Sequence, residues 1–458
     1  MRPRSSLALL AAMLLTACNG SLSSVGERDA GPAPDAGAAG QGDGGGADGG
    51  PGFPGDGGAP VTCAEAGQID IWAPIQTSLD LPGDLGRILA CEHLATLTGY
   101  DEFAIQYVSQ GPIGTPHRVT ALLYTPSGGK GSVPLVAVNH GTSGMGPACG
   151  PTHSTAVVDY MAVPMVQAGY AVVATDYPGM GVDEGSVSPY LVGEAEGLSI
   201  VDAVRATLRF HDSRFDASQL SGELFLAGHS QGGQATLFAH ALYDSSVGPT
   251  LLGSISFAPG LGDLREFGQA FNAATPTAGV GTLLLMGLYG NMAYYGTPDP
   301  SSWLSSTAAQ KLPTILHDQC LSEEEGSIPN QWPNLGQAVT SAFLSAAQGC
   351  SFDGGACPGF APWATELEGD VPGAFTSSVP ALLMQGEQDT LVLPATTACI
   401  AARLEAHGTP VQACGYANAD HLSIVSASIQ DALSWMAARR KGNSPDVCPA
   451  PLAESCPP

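Results

Sequence analysis

The chain has 458 residues and a formal net charge of −27 at neutral pH. Nucleic-acid binding needs a basic surface, so this charge argues against a nucleic-acid partner, and it also argues against electrostatic docking on anionic lipid. Setting Cys18 aside, ten of the 11 cysteines remain, and none forms a C-x-x-C pair. We therefore predict five disulfides in an oxidising compartment and no structural zinc.

Residues 1–18 have the layout of an export signal. Two early arginines precede an apolar run that is too short to span a bilayer, and small residues follow. The ending Leu15-Thr16-Ala17-Cys18 resembles a bacterial lipobox, in which the cysteine is lipidated and becomes the mature N-terminus. Lipidation of Cys18 would then be the only membrane link of a cell-surface or outer-membrane protein. The alternative is an ordinary signal peptide and a secreted or periplasmic protein.

Residues 19–60 contain 15 glycines, together with alanine, aspartate and proline. This composition offers too little apolar surface to offset the chain entropy lost on folding, and it predicts a disordered tether.

From residue 61 onward, short apolar runs alternate with helical patterns. This alternation predicts an α/β fold, with a mostly parallel sheet between flanking helices. Strands are predicted at 118–124, 133–138, 170–174, 223–227, 251–257, 379–384 and 411–416. Helices are predicted at 194–211, 235–242, 395–407 and about 423–440. The first of them should bury one stripe, formed by Gly197, Val201, Val204 and Leu208.

The alternation stops between about 260 and 376. A structureless loop of that length is uncommon inside a compact domain, so we predict a helical cap or lid there. The folded domain should then span 61–440, with a C-terminal tail containing cysteine and proline at 441–458. Disulfide connectivity does not follow from the sequence, and local pairs such as Cys350/Cys357 and Cys399/Cys414 are guesses.

A G-x-S-x-G pattern occurs at Gly228-His229-Ser230-Gln231-Gly232. In a chain this rich in glycine, composition alone produces such a pattern about once, and an ordinary turn serine is the alternative. The context favours a nucleophile, because a predicted strand precedes Ser230 and a predicted helix follows it. That arrangement is typical of the nucleophile elbow of α/β-hydrolases, whose flanking Gly228 and Gly232 let neighbouring backbone pass close.

A serine hydroxyl needs a base, and in this fold the acid and then the histidine follow the serine along the chain. Asp389 follows the first predicted strand after the cap and is our candidate acid. Glu387 is its nearest competitor, and Asp370 precedes that strand. Of the two later histidines, His407 is expected at a helix C-terminus on dipole grounds alone. His421 follows the last strand and is our candidate base.

The oxyanion of a tetrahedral intermediate needs backbone N–H donors. We expect one from Gln231 and one from the loop that contains Gly141 and Thr142. His140 and His229 precede the serine and are interpreted as packing or site-lining residues. No phosphate-binding loop occurs, and neither a metal nor an organic cofactor is implied.

Several segments together resemble the secretory lipase family over roughly 100–430. The resemblance is carried by Asn139-His140-Gly141-Thr142, 176–181, 189–197, 202–206 and Gly228-His229-Ser230-Gln231-Gly232-Gly233. It implies a triacylglycerol lipase or broad esterase with a helical lid, acting on an ester or lipid substrate. A short-chain or aryl esterase, a serine peptidase of the same fold and a catalytically inactive surface binding protein are the alternatives.

Overall fold

The computed structural model describes residues 61–111, 114–128, 131–261, 268, 270–296, 299–348 and 363–456. The predicted signal peptide with Cys18 and the predicted tether over 19–60 lie outside these residues.

A ten-stranded sheet runs through the described part of the chain, in the order β1-β2-β3-β4-β6-β5-β7-β8-β9-β10. The strands are β1 (Ala64–Glu65), β2 (Ile88–Leu97), β3 (Tyr100–Gln110), β4 (Pro116–Pro126), β5 (Val133–Asn139), β6 (Ala171–Thr175), β7 (Leu220–His229), β8 (Thr250–Phe257), β9 (Ala381–Gly386) and β10 (Val411–Tyr416). From β6 to β10 every neighbouring pair is parallel, whereas β2, β3, β4 and β6 pair antiparallel. The predicted mostly parallel sheet is confirmed.

Strands β1–β3 were not predicted, although β3 is almost wholly buried. Polar residues are buried in this antiparallel part of the sheet, among them Glu92, Asp101, Glu102 and Gln106. They interrupt the apolar runs by which buried strands are recognised in a sequence.

Twelve α-helices accompany the sheet within the described residues. They are α1 (Ala156–Gln167), α2 (Gly193–Thr207), α3 (Gln231–Leu242), α4 (Val280–Tyr295), α5 (Pro300–Trp303), α6 (Ser306–Asp318), α7 (Leu321–Gln331), α8 (Leu335–Ala338), α9 (Ser341–Gln348), α10 (Trp363–Gly369), α11 (Pro394–Ala406) and α12 (Ile424–Arg439). None of these helices is long and apolar enough to cross a membrane. The prediction that α2 buries a single stripe is wrong. This helix packs against both the sheet and α3, so the polar side chains of Glu196, Ser199 and Asp202 are buried as well.

Alternate side chains of the strands enter two hydrophobic clusters, one on each face of the sheet. In β5, Val136 and Val138 join the cluster that holds α1 and α12, whereas Leu135 and Ala137 join the cluster that holds α2 and α3. Burial of each aliphatic side chain contributes about 1.5–3 kcal/mol to the free energy of folding. These two layers therefore hold the carboxyl ends of the strands in place.

The helices α4–α10 lie between β8 and β9 in the chain, and we call them the cap. Their apolar side chains form a third cluster, which also takes in Met145 and Tyr190 from the loops of the sheet domain. A disulfide from Cys149 to Cys320, at the start of α7, ties the cap to those loops. The backbone N–H of Leu321 donates to the carbonyl of Ser143 at 2.9 Å beside it.

Three further disulfides join described residues: Cys63–Cys91, Cys399–Cys456 and Cys414–Cys448. The guessed pair Cys399/Cys414 is therefore wrong. The C-terminal segment lies along β10, where the backbone N–H of Gly415 donates to the carbonyl of Ala450 at 2.9 Å. This segment supplies Cys456, which pairs with Cys399, and Cys448, which pairs with Cys414. Cys350 and Cys357 lie outside the described residues.

Candidate active site

Ser230 stands at a sharp turn between β7 and α3. Its backbone has φ 59° and ψ −119°, a conformation that costs a non-glycine residue about 1–3 kcal/mol. Two backbone hydrogen bonds join the turn to the end of β8 and the residues after it, from Ser230 N–H to the carbonyl of Phe257 (2.9 Å) and from Gly260 N–H to the carbonyl of Ser230 (3.1 Å). The strained turn lifts the serine hydroxyl above the carboxyl edge of the sheet.

The two glycines that flank the serine are required by backbone packing. A Cβ on Gly228 would lie 2.1 Å from the carbonyl oxygen of Gly232. A Cβ on Gly232 would lie 2.0 Å from the carbonyl oxygen of Asn139. Any side chain at either position would force the turn open, which is why the sequence pattern needs glycine there.

The side chains of Ser230, His421 and Asp389 form one hydrogen-bonded chain. The Ser230 Oγ lies 2.9 Å from His421 Nε2, and His421 Nδ1 lies 2.7 Å from Asp389 Oδ2. With Nδ1 carrying the proton, His421 donates to the carboxylate and presents Nε2 as an acceptor to the serine hydroxyl. The structure thus brings together residues that are 159 and 32 positions apart in the sequence (389 − 230 and 421 − 389).

The carboxylate of Asp389 is buried and held by several donors. Its Oδ1 accepts the backbone N–H groups of Leu391 (2.8 Å) and Val392 (2.9 Å), and its Oδ2 also accepts from Gln385 Nε2 at 3.2 Å. A buried charge is tolerated only when its oxygens are paired in this way. The arrangement fixes the carboxylate so that one oxygen faces the imidazole.

The competing candidates lie elsewhere. The Glu387 Oε1 accepts from the backbone N–H of Ala453 in the C-terminal segment. Asp370 accepts from Gly193 N–H and from the Tyr295 hydroxyl, next to the cap. His407 stands just after α11, as expected for a basic residue at a helix C-terminus.

The loop predicted to supply an oxyanion donor passes beside the serine. A Cβ on Gly141 would lie 3.6 Å from the Cβ of Ser230, and Thr142 Oγ1 lies 2.9 Å from the hydroxyl oxygen of Tyr190. Gln231 is the first residue of α3, where backbone N–H groups have no partner within the helix. Gln231 and the Gly141–Thr142 loop therefore both lie beside the serine.

His140 and His229 are buried and do not contact the serine hydroxyl. His229 Nε2 donates to the carbonyl of His421 at 2.9 Å, and its Nδ1 lies 3.2 Å from the Tyr160 hydroxyl. Burial lowers the pKa of His229 to about 3 and that of His140 to about 4, so both are neutral packing groups. The sequence did not predict the hydrogen bond from His229 to the backbone of His421. It also did not predict α1, the helix that places Tyr160 beside His229.

No group of three or more histidine, cysteine or acidic side chains that could hold a metal ion occurs within the described residues.

The sheet order, the strand–serine–helix turn and the position of the cap define the α/β-hydrolase fold. Solved structures of other proteins with this fold can be superimposed on most of the chain. Lipase A from Candida antarctica in its closed state is 18% identical with a TM-score of 0.62, over 81% of this chain and 86% of its own. The cell-wall-degrading esterase LipA from Xanthomonas oryzae, in a ligand-bound form, is 18% identical with a TM-score of 0.61, over 76% and 97%. A putative hydrolase from Legionella pneumophila is 17% identical with a TM-score of 0.62, over 76% and 91%.

Residues 147–296 match the model of the secretory lipase family, and the resemblance seen in the sequence motifs is thereby confirmed over this segment. The comparison with curated protein sequences found no significant match. The family match supports a hydrolase of the lipase and esterase class. Together with the disulfides, it also supports an exported protein.

Proposed function

We propose that this protein is a serine hydrolase that cleaves carboxylic esters of acylglycerols through an acyl-enzyme. The proposal rests above all on the hydrogen-bonded chain from Ser230 through His421 to Asp389, at the strained turn between β7 and α3.

In the proposed mechanism, His421 Nε2 takes the proton of Ser230 as Oγ attacks the ester carbonyl carbon. Asp389 keeps the proton of His421 on Nδ1 and stabilises the imidazolium that forms. The N–H groups of Gln231 and of the Gly141–Thr142 loop donate to the oxyanion. His421 then protonates the leaving alcohol, and it later activates the water that hydrolyses the acyl-enzyme.

An apolar acyl group fits the surroundings of the serine. A Cβ on Gly260 would lie 3.8 Å from the carbonyl oxygen of Ser230 and 3.9 Å from a methyl carbon of Leu191, so the apolar side chain of Leu191 lies close to the backbone of the nucleophile. Leu422, which follows His421 directly, is 85% exposed. Apolar groups beside the serine and the base favour an ester of a fatty acid over a peptide.

We further propose that Cys18 is lipidated after export and that the tether over 19–60 holds the domain away from the membrane. The protein would not need a second membrane-binding element, because several acyl chains on one cysteine bind a bilayer firmly. Metabolic labelling with a clickable fatty acid tests this proposal, since Cys18→Ser should abolish the label without changing ester hydrolysis. Persistence of the label in that variant would contradict it.

The chemistry is tested by hydrolysis of p-nitrophenyl esters from acetate to palmitate. Ser230→Ala should lower kcat by about 10⁶-fold without unfolding the protein. Ser434→Ala is the matched control, because Ser434 is exposed on α12 and hydrogen-bonds only to its own helix at Gln430. Activity rising toward palmitate supports a lipase. Activity confined to the short esters would replace the acylglycerol by a small ester, and wild-type activity in Ser230→Ala would overturn the proposed nucleophile.

A further inference from the structure

A buried carboxyl group lies directly against the proposed oxyanion donor. Glu196, on α2, is fully buried, and its Oε1 accepts from Gln231 Nε2 at 2.7 Å and from the backbone N–H of Leu191 at 3.1 Å. Glu196 belongs to the segment 189–197 that carries part of the secretory lipase resemblance, and none of the mechanistic steps above uses it.

Two oxygens of this contact have no hydrogen-bond partner among the described residues: Glu196 Oε2 and Gln231 Oε1. Both are buried acceptors, and an ionised carboxylate has no hydrogen to offer to either. Leaving them unpaired costs about 1–3 kcal/mol each. A proton on Glu196 Oε2 would supply the missing hydrogen, because a carboxylic acid can donate to the amide oxygen of Gln231 while its Oε1 still accepts from the amide nitrogen. One proton would then pair both oxygens at once.

Glu196 also reaches the other side of the proposed oxyanion site. Leu191, whose N–H it accepts, has φ 59°, and its carbonyl accepts from Gln234 Nε2 at 3.2 Å, so the strained residue is held at both backbone groups. The preceding Tyr190 places its hydroxyl 2.9 Å from Thr142 Oγ1. The single carboxyl of Glu196 is thus connected to both elements that flank Ser230.

We propose that Glu196 is a neutral carboxylic acid that pairs with the side chain of Gln231 and positions both proposed oxyanion donors. The inference rests on the proposed function and assigns Glu196 as a positioning residue, since it does not reach the serine hydroxyl or the substrate. Loss of the Glu196 proton would put an unpaired negative charge beside the site at which the oxyanion forms, and would release Gln231 from one of its two hydrogen bonds.

The electrostatic surroundings agree with a neutral acid. Burial, helped by the nearby carboxyl of Asp370, raises the pKa of Glu196 to about 8, although the hydrogen bonds from Gln231 and Leu191 act in the opposite direction. The other titratable groups that face it are the hydroxyls of Tyr177 and Tyr190, whose pKa values burial also raises. Among the residues that the structure describes, no positively charged side chain lowers the pKa of Glu196 by stabilising its ionised form.

The pH profile of kcat separates this role from simple packing. A group with a pKa of about 8 is protonated in about nine-tenths of the molecules at pH 7 and in about one-tenth at pH 9. Because only the neutral acid holds both donors in place, wild-type kcat should fall about tenfold between these two pH values. Glu196→Gln is neutral at every pH and can make both hydrogen bonds, so it should keep kcat at pH 7 within about threefold and lose the alkaline fall. Glu196→Ala should lower kcat by about 10²-fold with little change in KM.

Asp370→Asn is the matched control. It neutralises the neighbouring buried acid, whose pKa is raised to about 7. It should keep an alkaline fall, with the midpoint moved to lower pH because the charge of Asp370 raises the pKa of Glu196. The proposal is overturned if Glu196→Gln is as impaired as Glu196→Ala, if Glu196→Gln keeps the alkaline fall, or if Asp370→Asn removes it. A wild-type protein without any esterase activity would instead contradict the proposed function. In that case difference infrared spectroscopy still tests the inference, because a protonated carboxyl band that Glu196→Gln removes is required.

Discussion

Removal of the disulfide between Cys149 and Cys320 should destabilise the protein more than removal of the disulfide between Cys63 and Cys91. The first bond closes a loop of 171 residues and the second a loop of 28, and neither loop overlaps another described disulfide. In the chain-entropy model, closing these loops stabilises the folded protein by about 5.2 and about 3.6 kcal/mol, respectively, at 25 °C. Replacing both cysteines of a pair by alanine should therefore cost about 1.6 kcal/mol more at Cys149 and Cys320.

The two pairs are well matched in their packing. Each joins one buried cysteine, Cys149 or Cys91, to a partly buried one, Cys320 or Cys63. Differences in lost packing should therefore cancel. Chemical denaturation of the two double variants and of the wild type gives the free energies of unfolding. An equal loss in both variants, or a larger loss from the short loop, would refute the argument from loop length.

Three further outcomes follow from the site and from the buried acids. Asp389→Asn should lower kcat by about 10⁴-fold, because the amide favours the wrong tautomer of the histidine; a kcat within tenfold of wild type would contradict this. Tyr190→Phe removes a hydrogen bond of about 1 kcal/mol to Thr142 and should lower kcat about fivefold; an unchanged kcat would show that Thr142 needs no such support. Burial raises the pKa of Glu324 to about 8 and that of Asp370 to about 7, so the folded protein holds protons that the unfolded chain has released above its ordinary carboxyl pKa values. Stability should therefore fall as pH rises from 6.5 to 9, and calorimetry should give a lower Tm at pH 9; a higher Tm at pH 9 would contradict the sign.

The parallel part of the fold could be predicted because its strands are buried on both faces. Such strands read as uninterrupted apolar runs, as in 133–138 and 224–227, and the turns after them carry the site residues. The order of serine, acid and histidine then selected Ser230, Asp389 and His421, which lie in one hydrogen-bonded chain.

The remaining features depend on contacts between distant residues. A sequence does not distinguish a buried glutamate such as Glu196 from an exposed one. Its contact with Gln231 follows from the packing of α2 against α3 and is visible only in the structure. The partners of Cys399 and Cys414 could not be predicted either. Their pairing follows from the return of the C-terminal segment along β10, which no local pattern indicates.

The most direct test of the central claim is to treat the purified protein with a fluorophosphonate and to locate the adduct by peptide mass spectrometry. The proposed mechanism predicts one adduct, on Ser230, that does not form in His421→Ala because the hydroxyl then lacks its base. A modified serine elsewhere, or labelling of Ser230 that is as fast in His421→Ala as in the wild type, would contradict the proposed catalytic site.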